Sequence, residues 1–235
     1  MIRAMTAAVL LLPGAATAQA LSCAIPRDVP RPRPDLPDAK QPVRRLPTAG
    51  YTLAVSWSPG YCRERGDRPA ARFQCGGGNE FGFVLHGLWP DGPGKDWPQY
   101  CRATGLLSRQ EVRRNLCATP SVQLLQHEWA KHGTCIPGYT PQKYFARSTA
   151  MFRRLRFPDM AALSRRPTLT AGTLAAAIAA ENAGMRADMM RVTANRQGWL
   201  EELWLCHDLR FRPVRCPAHQ GGLAPGAPVR ISGAA

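Results

Sequence analysis

Eight cysteines, at positions 23, 62, 75, 101, 117, 135, 206 and 216, constrain this chain more than any other feature. All of them follow a start that reads as an export signal. Arg3 supplies a positive charge, "AAVLLLP" an apolar run and Ala18-Gln19-Ala20 a small-residue cleavage site, so residues 1–20 are expected to leave as a signal peptide. The protein is then exported, periplasmic or extracellular, and an even number of cysteines in such a compartment predicts disulfides. The bacterial look of the start favours export across one membrane. A lipid anchor at Cys23 is the alternative, but Ala20 stands where a leucine would be expected. No Cys-x-x-Cys pair occurs, which argues against zinc ribbons and thioredoxin-like redox chemistry. The apolar run falls short of the roughly 20 residues a bilayer span needs, and no later stretch reaches it, so no stable membrane association is expected.

Pattern then divides the rest. Residues 25–47 hold seven prolines and no apolar periodicity, which predicts an extended, poorly packed leader over 21–50. The Gly/Pro-rich tail, 218–235, is likewise expected to be loose. Between them, 51–217 reads as one domain. "YTLAVSW" and "FGFVLHGLW" have strand composition, and Ser108 with Glu111 makes a capping-box start for a helix. "PSVQLLQHEWAKHG", "TPQKYFARSTAMFRRL" and "TLTAGTLAAAIAAEN" read as helices, and the stretch from Met189 to Pro217 returns to strand character. Strands, helices, then strands predict an α+β fold: a single disulfide-stabilised domain with a largely antiparallel central sheet and flanking helices.

Lysine and arginine total 31 against 16 acidic residues, a net charge of +15. Such a surplus gathers polyanions, and nucleic acid is favoured over anionic membranes because the arginine-rich helices lack a clean apolar face.

The densest chemistry lies in "HEWAKHGTC", residues 127–135. A metalloprotease helix needs histidines four residues apart, whereas His127 and His132 are five apart. At roughly 100° per residue they diverge by about 140°, so no metal is expected. On the same wheel Lys131 lies near 40° and Glu128 near 100°, which puts all four groups on one arc. A solvated helix face is the plainer explanation of this segment taken alone. A second stretch, "FVLHGLWPDG", places His86 after an apolar strand, beside Trp89 and the turn carboxylate Asp91.

Together, in this order, "FVLHGLWPDG" and "HEWAKHGTC" resemble the two active-site segments of the ribonuclease T2 family. The resemblance runs from about Tyr51 to Pro217 and includes "LAVSWSPGYC", Tyr144-Phe145 and "LEELWLCHD". It implies a metal-independent endoribonuclease with no cofactor, acting as a monomer on single-stranded RNA. In that reaction the 2′-OH attacks phosphorus and leaves a 2′,3′-cyclic phosphate. The implied roles are His132 as base and His86 as acid, Lys131 stabilising the pentacoordinate state, Glu128 orienting, and His127 holding phosphate. Trp89 and Asp91 would meet the base, with low base specificity. Ser56 departs from the family's usual glutamine. The same resemblance implies the disulfides Cys62–Cys75, Cys101–Cys135 and Cys206–Cys216; Cys23 and Cys117 remain and are expected to pair.

Overall fold

Alternation along "GYTLAVSW" decides the sheet. Leu53, Val55 and Trp57 are all but fully buried on one face, while Thr52, Ala54 and Ser56 point to the other. Residues 20–233 are described in this computed structural model. The chain runs β1 (Ala20–Ser22), β2 (Gly50–Trp57), α1 (Ser58–Arg65), α2 (Arg72–Cys75), β3 (Glu80–Phe81), β4 (Phe83–Asp91), α3 (Arg109–Asn115), α4 (Val122–His127), α5 (Pro141–Arg154), α6 (Met160–Ser164), α7 (Ala171–Ala180), β5 (Met190–Ala194) and β6 (Leu200–His207). The sheet order is β4-β2-β6-β5 and every pairing is antiparallel; β1 and β3 make a separate two-stranded ribbon. This is the α+β architecture expected, with one continuous core.

Leu53, Val55, Leu85, Leu88, Leu203 and Leu205 carry the sheet's share of that core, against Leu174 and Ile178 of α7 and Phe145 and Phe152 of α5. Each fully buried side chain of this kind contributes about 1.5–3 kcal/mol relative to exposure. The free edge of β4 is covered by the Ala118 carbonyl, which accepts from the Leu85 amide at 2.8 Å, and by side chains. Tyr144, fully buried on α5, takes the Leu88 amide proton on its hydroxyl at 3.1 Å, and Thr119 donates to the Leu85 carbonyl at 2.8 Å. Ser108 caps α3 by accepting from the Glu111 amide, but the reciprocal half of the box is absent: the Glu111 carboxylate accepts from Asn115 instead.

Two expectations need correction. The leader is extended, as its prolines require, but it is packed. Proline removes backbone donors, so the proline-rich stretch forms no continuous strand; apart from the backbone bridge between Arg44 and Gln99, several of its carbonyls are met by side chains. Arg113 donates to the carbonyls of Pro26 and Arg27, Gln99 to that of Pro42, and Val29 sits in the core. The tail is also bound: Val229 and Ile231 are buried, and the Trp57 indole donates to the Ser232 carbonyl at 3.0 Å. The disulfides join Cys23–Cys117, Cys62–Cys75, Cys101–Cys135 and Cys206–Cys216. The signal-peptide reading falls on residues 1–19, outside the described residues, and on Ala20, which opens β1. No helix of the described residues is long and apolar enough to cross a membrane.

Candidate active site

His86 lies inside β4 rather than at its end. Ala54 pairs with Gly87 and Val55 with Leu85, so His86 is the extra residue of a β-bulge. A bulge re-aims the side chains beyond it. Leu85 and Leu88, three apart, both reach the core, while His86, Trp89 and Asp91 stay partly open on the opposite face. Strict alternation would not have allowed that set. Ser56 of β2 pairs in register with Glu202 of β6, and both fall beside His86.

The opposite wall is the segment after α4. Ser121 caps α4 by accepting from the Leu124 amide, and the helix then widens to a π turn over Glu128–His132 before a tight turn at Gly133–Cys135. A uniform α-helix is therefore not what the segment forms. The Gly133 amide reaches back to the Glu128 carbonyl, an i→i+5 bond, so each residue turns less and His127 and His132 return toward one face. Their ring centroids are 6.2 Å apart. The divergence of about 140° on a regular helix is thus overturned, and with it the geometric argument against a metal. His127, Glu128 and His132 are the one group among the described residues with metal-ligand spacing, their ligand atoms lying within 4.8 Å of one another.

Glu128 is the hub. Its carboxylate accepts from the Trp89 indole at 2.9 Å, faces His86 Nε2 at 3.4 Å, and is nearly inaccessible. Gly87 makes this possible, because a Cβ there would coincide with the Glu128 carboxylate. Burial pushes this carboxyl up, but His132, His86 and His127 overcome it and hold it down at about 2.

The two histidines move in opposite directions. Burial alone would lower His86, yet Glu202, 2.5 Å from Nδ1, and then Glu128 raise it to about 10. His132 is buried and lies flat on Trp89 at 5.5 Å, and its Nδ1 has no hydrogen-bond partner among the described residues. Burial lowers it to about 3; Glu128 opposes, and Lys131 and His127 reinforce. The surroundings therefore favour the charged form of His86 and the neutral form of His132. Two groups pushed apart in this way are suited to acid and base duty.

Two cavities flank the pair. One of about 290 Å³ is lined by Trp89, Asp91, Trp97, Lys131, Trp204 and His219. There Thr52 donates to Asp91 at 2.8 Å, and burial raises Asp91 to about 6. The other, about 760 Å³, holds Ser56, Arg65, His86, His127, Trp199 and Glu202. Of the residues expected from the sequence, Trp89, Asp91, Lys131 and His132 line the first cavity and His86 and His127 the second, with Glu128 buried beside His86 and Trp89; Asp35, Trp204, Glu202 and His219, which also line these cavities, were not expected. Glu202 lay within a quoted strand; nothing local distinguished it from Glu201 except the register that puts it opposite Ser56.

Known proteins resemble this chain. A curated protein described as a probable ribonuclease of Haemophilus influenzae is 31% identical over 183 residues, covering 73% of this chain and 62% of that protein. Ribonuclease I of Escherichia coli is 29% identical over 133 residues, covering 40% and 49%. The chain thus spans less than two thirds of the length of these relatives. Among solved structures, trichomaglin, titled a novel S-like ribonuclease, superposes with a TM-score of 0.63 at 19% identity, over 78% of this chain and 98% of that one. RNase NT in complex with 5′-AMP does so at 0.58 and 21%, over 79% and 98%. Those likenesses establish a shared fold. Residues 49–216 match the profile of the Ribonuclease T2 family, and the chain belongs to that family.

Proposed function

We propose that this protein is an exported, metal-independent endoribonuclease that cuts single-stranded RNA by transphosphorylation. The observation that carries the reading is geometric: two histidines pack against one tryptophan, His86 paired with Glu202 and His132 Nδ1 without a hydrogen-bond partner among the described residues, with a lysine and a third histidine on the adjoining turn. Neutral His132 takes the 2′-OH proton, and the 2′-oxygen forms its bond to phosphorus. His86 gives its proton to the departing 5′-oxygen, which leaves a 2′,3′-cyclic phosphate that water opens more slowly to the 3′-phosphate. Lys131 meets the negative charge of the phosphorane, and His127 holds the phosphate. Glu128 fixes Trp89 and His86 relative to each other. The cavities on either side accept the two flanking nucleosides. Trp89 and Trp204 offer one of them aromatic edges and faces, which any base satisfies, so specificity is broad. DNA, lacking the 2′-OH, binds without reacting.

The test is incubation of the purified protein with RNA in excess chelator, followed by analysis of the cut ends. Cyclic 2′,3′-phosphates support the reading. Cleavage that requires a divalent ion would overturn it and return attention to the His127, Glu128 and His132 trio.

Glu202 gives a separate prediction. His86 must be protonated to act, and its raised pKa keeps it so from low pH through to about 10. Removing the Glu202 charge takes away the largest influence raising it and leaves only Glu128 to oppose burial. In Glu202→Gln the alkaline limb of kcat/KM is expected to move toward neutrality, with the acid limb, set by His132, unmoved. An alkaline limb identical to the wild type's would refute the assignment of His86 as the acid.

A further inference from the structure

The leader crosses the catalytic segment and delivers a carboxylate to it. Both Asp35 oxygens lie at hydrogen-bond distance from one nitrogen, His127 Nδ1, at 3.2 and 3.1 Å. Asp35 Oδ1 also accepts from the Tyr100 hydroxyl at 2.7 Å. Tyr100 is itself fixed. Its amide donates to the Lys131 carbonyl at 2.8 Å, its neighbour Cys101 is bonded to Cys135, and its backbone is held at φ 51, a left-handed conformation that is unfavourable for a tyrosine. The leader is pinned on both sides of Asp35. Cys23–Cys117 ties its start, Gln123 exchanges two hydrogen bonds with the Arg33 backbone at 3.0 and 3.2 Å, and Arg44 pairs with Gln99 through their backbones at 2.9 Å in both directions. Asp35 lies outside residues 49–216, the part of the chain that matches the family.

An imidazole held at Nδ1 by a carboxylate has its orientation fixed, and Nε2 is the nitrogen left to act. Here His127 shares a groove with Asp35, Ser56 and His86. We propose that Asp35, supplied by the proline-rich leader, is a positioning residue that orients His127 toward the substrate phosphate. The leader is then part of the working site, and its close packing serves that purpose. This rests on the reading of His127 as the phosphate-holding histidine.

The experiment compares the full chain with Asp35→Asn, Asp35→Glu and Tyr100→Phe. Inorganic phosphate binding is measured by calorimetry and RNA cleavage by steady-state kinetics. In Asp35→Asn the phosphate Kd and the KM for RNA are both expected to rise roughly tenfold, the scale of one charge-assisted hydrogen bond, with kcat nearly unchanged. Tyr100→Phe moves both the same way by less, and Asp35→Glu restores part of the loss. Asp35→Asn with wild-type phosphate affinity and KM, whatever its melting temperature, would reduce Asp35 to a structural tie and overturn the proposal. Tighter phosphate binding in that variant would overturn it too, by making the carboxylate an occupant of the phosphate position. If Asp35→Asn weakens phosphate binding in a protein that cuts no RNA, the positioning role stands and the ribonuclease reading falls. If the wild type cuts RNA and the variant is indistinguishable, only the positioning role falls.

Discussion

His132→Ala is expected to lower kcat on RNA by roughly 10²–10⁴, the range over which a positioned base accelerates proton transfer. The loss should fall on kcat rather than KM, because a neutral, buried imidazole contributes no charge to phosphate binding. His86→Ala is expected to lose a similar factor. The double variant should be little slower than either single one, because an acid and a base that act in one concerted displacement are not independent. The pH dependence adds a second signature. His132 lies below, and His86 above, the ordinary histidine range, so kcat/KM should be level through neutrality and fall only well to either side. The sign follows from the protonation states required: acid protonates the base His132 on the low side, and alkali discharges the acid His86 on the high side. Full activity in either alanine variant would exclude that histidine from proton transfer.

Much of this site is visible in the sequence because its parts are local. His86, Trp89 and Asp91 lie within six residues, and His127, Glu128, Lys131 and His132 within another six. Short spacing lets a reader place them without knowing how the chain folds. What resists such reading is set by tertiary structure. The π turn cannot be inferred from a 3.6-residue wheel, since nothing in "HEWAKH" departs from helical composition. Its consequence, bringing His127 and His132 toward one face, reverses the conclusion that the wheel supports. Glu202 reaches His86 across 116 positions by the pairing of β6 with β2, and Asp35 reaches His127 across 92 by a leader whose prolines look like those of a tether. The bulge at His86 is legible only in retrospect, when apolar Leu85 and Leu88 are seen to share the core. Composition gave the same false impression at both ends of the domain. Proline and glycine forbid regular structure, but they do not forbid packing when side chains such as Arg113 and Gln99 supply the missing hydrogen bonds.

Lys131→Ala should separate transition-state from ground-state binding. The lysine is only partly exposed, and burial, with Arg44 adding to it, lowers its pKa against the opposing pull of Glu128 and Asp35. A cation partly withdrawn from water acts on nearby charge through a lower effective dielectric. The phosphate gains negative charge as it becomes a phosphorane, so the benefit from Lys131 grows along the reaction coordinate. Its removal is therefore expected to cost roughly 10²–10³ in kcat, comparable to the loss of one oxyanion-stabilising group, with KM nearly constant. His127→Ala provides the contrast. A residue that grips the phosphate equally before and during reaction should raise KM and leave kcat close to the wild-type value. Lys131→Arg should recover only part of the rate, because a planar guanidinium cannot occupy the same point as an ammonium. Steady-state kinetics on a dinucleoside phosphate would distinguish the two residues. A rise in KM without loss of kcat in Lys131→Ala would assign Lys131 to ground-state phosphate binding beside His127, and would leave the phosphorane without a lysine to stabilise it.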